Sequence, residues 1–306
     1  MIQLIKELNV RQKKCQHKEE KRLRMKKSLF KGYKFTILII GILLVAMFSV
    51  ACGKSTSQNN ASQNQAAENK EPAKKITVFA AASLTESYKE IGEQIKKDKN
   101  IEVKFNFAGS QQLVASINQG ADVDVFASAD TKNMKTLTDA KKVDKDVIFA
   151  KNQLVIAKNK SSKVSITSLK DLGNDGVKLV VGDKSLPAGN YFHKALDAAK
   201  ADNTIDQATY DKIIKNIKSE ELNVKDVVSK VKLGDADAGV VYKTDATNQK
   251  ELEVIPDKEF SKLQVDYPIA VISESKNKEA AQQFIDYVTN GKGKSILQKY
   301  GFSVDK

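Results

Sequence analysis

Two serines stand where an apolar strand pattern gives way to an amphipathic helix pattern: Ser83 in FAAASLTES (Phe79–Ser87) and Ser110 in VKFNFAGSQQL (Val103–Leu113). A serine in that place can satisfy the unpaired N–H groups of a helix start or offer its hydroxyl to a ligand. The spacing Ser83-Leu84-Thr85-Glu86 reads as a capping box, with the serine at the cap and Leu84 opening the apolar face. Ser110 opens the next helix, and Pro187-Ala188-Gly189 precedes a third, with its proline in the tolerant first turn. Helix N-termini carry partial positive charge and free N–H donors, so they can hold an oxyanion without any cationic side chain. Serine caps commonly serve only their own helices. Residue types alone therefore leave two readings open, a set of ordinary caps or an anion-binding cleft. Tyr242, which closes the apolar run AGVVY, reads by spacing as core or rim.

Other chemistries are poorly supplied. After Arg24 the chain has no arginine, after His17 its one histidine is His193, and its only cysteines are Cys15 and Cys52. A Ser-His-Asp triad would have to use His193, expected on the surface of the Tyr191–Ala199 helix, and no G-x-S-x-G element accompanies it. His/Cys clusters for a transition metal and Walker-type phosphate loops are missing, and Gly173-Asn174-Asp175-Gly176 reads as a turn. The expectation is a binding protein rather than an enzyme, with no catalytic residue, no cofactor and no cation site.

The elements that must position these residues alternate. ITVFA, VKFNF, VDVFAS (Val123–Ser128) and QLVIAKN (Gln153–Asn159) are apolar strand runs. Between the first three lie helices carrying Leu84, Tyr88, Ile91 and Ile95, then Leu113, Val114 and Ile117; a third, through Met134 and Leu137, follows VDVFAS. A second series follows: VKLVVGD (Val177–Asp183), helices at Tyr191–Ala199, Gln207–Lys218 and Val224–Leu233, and AGVVY (Ala238–Tyr242). YPIAVI (Tyr267–Ile272) then leads into a terminal helical stretch. The alternation predicts α/β architecture in two lobes, 76–156 with 265–306 and 157–264, with a cleft at the strand ends. QLVIAKN and YPIAVI are the expected crossings between lobes.

The net charge of +13 is concentrated at one end of the chain. Residues 1–51 hold 12 Lys/Arg and 3 Asp/Glu, a net +9, which leaves +4 for the rest. The remainder intersperses both signs, which argues against nucleic acid as a partner. The basic leader runs into an uncharged stretch of 17 residues, Phe35–Ala51, and then Cys52. That is the pattern of a secretory signal, and Ser49-Val50-Ala51-Cys52 is similar to a bacterial lipobox whose cysteine takes the lipid. An uncleaved anchor helix is the other reading, at the short limit for spanning. MKKSLFKGYKF from Met25 would itself begin a normal leader, so residues 1–24 read as an extension or a misplaced start. Residues 53–75, rich in Ser, Gln, Asn and Lys, read as a flexible tether. With Cys52 lipidated, the exported domain has no thiol and no disulfide.

In order, ITVFAAASLTES, FNFAGSQQL, ADVDVFASAD, VVGDKSLPAGNY, GVVYKTDA, YPIAVI and the closing KYGF resemble the periplasmic molybdate-binding proteins of ABC importers, over Ile76 to the C-terminus. The resemblance implies a type II periplasmic-binding fold, two α/β lobes joined by a two-crossing hinge and closing on a tetrahedral MoO4 or WO4 dianion held by neutral donors. It implies Ser83, Ser110, Ala188 (backbone N–H), Val224 (backbone N–H, in ELNVKD) and Tyr242 as the molybdate-binding residues. Gly109 stands where some members carry another serine. Also implied are an ABC permease as partner, a lipid anchor on Cys52 at the outer face of the membrane, and a monomer. Sulfate or phosphate in the same fold is the alternative ligand, and an extracytoplasmic enzyme acting on an anion is the alternative class.

Overall fold

The computed structural model describes residues 72–304; the leader, Cys52 and the tether up to residue 71 lie outside the described residues, while Lys74 and Lys75, expected as tether, already belong to the first strand. Within them ten strands form two five-stranded sheets. The first contains β1 (Lys74–Ala81), β2 (Ile101–Ala108), β3 (Val125–Ala127), β4 (Val147–Asn152) and β10 (Val265–Val271). Its order is β2-β1-β3-β10-β4, with β1 to β3 parallel and β10 antiparallel to both its neighbours. The second contains β5 (Leu154–Asn159), β6 (Leu179–Gly182), β7 (Ile217–Glu221), β8 (Ala238–Tyr242) and β9 (Leu252–Ile255). Its order, β7-β6-β8-β5-β9, repeats the same plan: three parallel strands, one antiparallel strand and an edge.

The central strands are buried along their length, as parallel strands covered on both faces must be. Leu179-Val180-Val181-Gly182 and Ala238–Tyr242 have no exposed residue. Helices cover the faces through stripes at helical spacing: Tyr88, Ile91 and Ile95 on α1 (Thr85–Lys99), and Leu113, Val114 and Ile117 on α2 (Ser110–Asn118). α3 (Thr131–Asp139) buries Met134 and Leu137 beneath an Asp130 N-cap that accepts from Asn133 N–H. In the second half α4 (Pro187–Ala201) buries Phe192, Ala195, Leu196 and Ala199, followed by α5 (Gln207–Asn216). α6 (Val224–Leu233) buries Val224, Val227, Val228 and Val231, and ends at Gly234 with φ +83°, where glycine carries no Cβ penalty. Short helices α7 (Lys243–Ala246) and α8 (Lys258–Ser261) follow, then α9 (Lys278–Asn290) and α10 (Lys292–Lys299).

The chain passes between the sheets twice, at Gln153 and through residues 256–264. The expected crossings are corrected: only Gln153 of QLVIAKN passes between the sheets, the rest of that run being β5, and YPIAVI lies after the second passage, in β10 up to Val271. The first passage falls three residues before the expected 156/157 boundary, because Leu154 already pairs with Tyr242 in β8. Among the described residues no helix is long and apolar enough to cross a membrane.

Candidate functional site

Parallel strands deliver their carboxyl ends to one side of a sheet, and in α/β folds ligands bind there. Here the two sheets turn those ends toward a common cavity of about 190 Å³, counted with its opening to solvent. Its wall is built from residues at and just past the strand ends. Ala81 ends β1 and is followed by Ala82 and Ser83; Ala108 ends β2 and is followed by Gly109 and Ser110; Ala129 lies just past β3. From the other sheet come Leu186 and Pro187 after β6, Val224 after β7 and Tyr242 at the end of β8. Four of the five expected site residues, Ser83, Ser110, Val224 and Tyr242, therefore meet in one wall. Ala188 does not line it, but is fully buried immediately behind Pro187.

The electrostatics of this wall come from dipoles. Ser110, Pro187 and Val224 are the first residues of α2, α4 and α6, and Ala82–Leu84 form a 3-10 turn leading into α1. Four N-termini, two from each half, therefore converge with their unpaired N–H groups and partial positive charges. No lysine, histidine or carboxylate lines the cavity. Ser110 Oγ accepts a hydrogen bond from Ala129 N–H at 3.1 Å, leaving its own proton to donate elsewhere. Tyr242 Oη points to the Ala129 carbonyl at 3.4 Å, and burial pushes its phenol well above the ordinary range, so it stays a protonated donor. Small side chains let the backbones approach. A Cβ on Gly109 would fall on the Leu222 carbonyl oxygen of the other half, and one on Gly189 would fall on the Gly182 and Asp183 carbonyls.

Three expectations are corrected. The capping box at Ser83–Glu86 does not form: Leu84 is the N-cap of α1, without a side-chain cap. Ser83 Oγ instead lies 2.9 Å from Tyr267 Oη, Thr85 Oγ1 donates to Ala82 O at 2.6 Å, and Glu86 reaches Lys225 Nζ at 2.7 Å. Tertiary partners outcompete the local motif because a buried hydroxyl and a carboxylate near a cation each gain more from them. His193 is buried rather than on the helix surface, against Phe192 at 5.1 Å between centroids, and it takes no part in the cavity. Burial, aided by Lys184, holds its pKa below the ordinary value. The helix expected over Gln207–Lys218 ends at Asn216, and Ile217 and Lys218 begin β7.

Sequence reasoning missed the partners behind the wall. Lys225 Nζ sits 3.0 Å from Asp245 Oδ1 as well as on Glu86, a bridge between the halves. Asp245 is fully buried; burial raises its pKa, against the lowering effect of Lys225. Burial also opposes the Lys225 charge, but Asp245 and Glu86 outweigh it and raise its pKa. These residues stand at spacings that signal only a helix start and a strand end. Among the described residues no cluster of His, Cys, Asp and Glu could hold a metal ion.

A family model for bacterial extracellular solute-binding proteins matches residues 76–303. The chain belongs to that family. This solute-binding protein is 37% identical over 234 residues to the molybdate-binding protein ModA of Mycobacterium tuberculosis (strain ATCC 25618 / H37Rv), across 76% of this chain and 85% of the relative. It is 34% identical over 243 residues to the molybdate-binding protein ModA of Escherichia coli K12, across 75% and 89%. The periplasmic molybdate-binding protein of Azotobacter vinelandii superposes with a TM-score of 0.63 at 20% identity, covering 76% of this chain and all of that one. The fold is the type II periplasmic-binding fold, two α/β halves with helices on both sheets.

Proposed function

We propose that this solute-binding protein captures molybdate, and tungstate with it, between its two sheets and hands it to the permease of an ABC importer. The observation that carries the reading is the convergence of four helix N-termini and the hydroxyls of Ser83, Ser110 and Tyr242 on one cavity whose lining has no charged side chain. Such a wall solvates a dianion with fixed dipoles. It offers no carboxylate to take the proton of an anion such as hydrogen phosphate, which favours an oxyanion fully deprotonated at neutral pH. The relatives named for molybdate binding support the same ligand. In this reading Ser83, Ser110, the backbone N–H groups of Ala188 and Val224, and Tyr242 are the donors. β1–β4 with β10 form one lobe and β5–β9 the other, Gln153 and residues 256–264 are the hinge, and the mature monomer is held at the outer membrane face by lipid on Cys52.

Calorimetry tests the donors. Ser83→Ala and Ser110→Ala are each expected to weaken molybdate binding by about 1–3 kcal/mol, the cost of leaving a buried charged acceptor short of one donor. A thermal-shift panel of molybdate, tungstate, sulfate and phosphate tests the ligand, with about 2.7 kcal/mol of stabilisation expected at one hundred times the dissociation constant. A response to sulfate alone would replace molybdate as the ligand.

A further inference from the structure

We infer that Tyr267 and Asn152 are positioning residues of the anion site: a directed hydrogen-bond chain from the first crossing to Ser83 fixes which way the Ser83 proton points. The inference rests on the reading of Ser83 as a ligand donor. Ser83 Oγ and Tyr267 Oη, both buried, are 2.9 Å apart, and either hydroxyl could donate in that pair. The ambiguity is resolved one residue further back. Gln153 N–H donates to Asn152 Oδ1 at 2.9 Å, and because a backbone N–H can only donate, it identifies the oxygen end of that amide. The nitrogen end therefore faces Thr244 Oγ1 at 2.9 Å and Tyr267 Oη at 3.3 Å.

An amide nitrogen donates and never accepts. Tyr267 Oη is therefore an acceptor from Asn152, and since Ser83 Oγ is the one group among its hydrogen-bond partners in the described residues that can take a proton, its own proton is directed there. Burial pushes the Tyr267 phenol well above its ordinary range, so that proton stays in place. Ser83, already accepting, has its proton left for the cavity it lines. Ser110 has the same polarity, since it accepts from Ala129 N–H on its protein side. Both serines thus present donors to the ligand, and each is strengthened by the bond it accepts. A pair of hydroxyls poised in this way selects an oxyanion that only accepts. Tyr267 also ties the site to the hinge, because Asn152 ends β4 beside the first crossing and Thr244 belongs to the other half.

The test is a double-mutant cycle read by molybdate calorimetry. Tyr267→Phe keeps the ring and removes the relay; it is expected to lower affinity about 5- to 20-fold, the scale of one buried hydrogen bond. The same change in the Ser83→Ala background is expected to cost less than about 2-fold, while in the Ser110→Ala background it keeps its full effect. A purely structural role for Tyr267 would lower affinity equally on all three backgrounds and would overturn the inference. Asn152→Asp is close in shape but makes the Tyr267 proton turn back toward residue 152, so it is expected to weaken binding through Ser83 as well. The part of its effect that survives in Ser83→Ala measures its added charge. This variant carries the same cycle should Tyr267→Phe fail to fold. Loss of affinity in Ser83→Ala with wild-type affinity in Tyr267→Phe overturns the relay alone. Wild-type affinity in Ser83→Ala overturns the donor role of Ser83 and the relay with it.

Discussion

Lys225 follows Val224 at the start of α6 and holds two carboxylates, Asp245 Oδ1 at 3.0 Å and Glu86 Oε2 at 2.7 Å. Asp245 has no exposed side-chain surface, so Lys225 is what makes its charge tolerable there. Replacing Lys225 by Met leaves an uncompensated buried carboxylate and is expected to destabilise the fold by about 3–5 kcal/mol at neutral pH. The pH dependence has a definite sign. The Asp245 pKa is already raised by burial, and losing Lys225 raises it further. A raised acid favours folding while protonated, and that contribution is lost as pH rises from its unfolded value through its folded one. The stability gap between wild type and Lys225→Met should therefore widen from pH 5 to pH 8 in denaturant titrations, and a constant gap would contradict the assignment.

At the scale of elements, the site depends on how closely loops and helix starts approach. Gly109 ends the link between β2 and α2 and faces the Leu222 carbonyl, which also accepts from Gln111 Nε2 at 2.9 Å. Its φ of −62° suits any residue, so glycine is required here by the approach and not by backbone conformation. Gly109→Ala is expected to lower the melting temperature and to weaken molybdate binding by about 1–3 kcal/mol, the scale of an overpacked contact. Unchanged affinity would mean that the link can shift freely. The expected elements also failed in a patterned way. β4, β7 and β9, absent from the sequence-based reading, are all edge strands. β7, Ile217-Lys218-Ser219-Glu220-Glu221, is half exposed and carries charge, so hydrophobic periodicity does not mark it.

For the molecule as a whole, the two sheets share one plan and exchange one strand each, and Gln153 and residues 256–264 are the two passages that join them. The Glu86–Lys225 pair spans the halves on the cavity side. It stands where separation of the halves would break it. Glu86 is half exposed, which discounts the pair to a small contribution. Glu86→Gln is expected to speed molybdate release about 2- to 5-fold with little change in association, and to reduce the salt dependence of release. Stopped-flow displacement would read this, and an unchanged release rate would remove the pair from the closing contact.

The sequence by itself determined the alternation of strands and helices, the scarcity of arginine, histidine and cysteine, and the strand-to-helix junctions at Ser83, Ser110 and Pro187. Those properties are local: they follow from residue type, period and turn chemistry within a dozen positions. Which junctions face one another was decided only by the tertiary structure, because sheet order brings together residues as distant as Ser83 and Tyr242. The same holds for the partners behind the wall. Ser83 resembles a helix cap in sequence and becomes a link in a chain to Tyr267 and Asn152, since a buried hydroxyl takes the partner that folding places beside it.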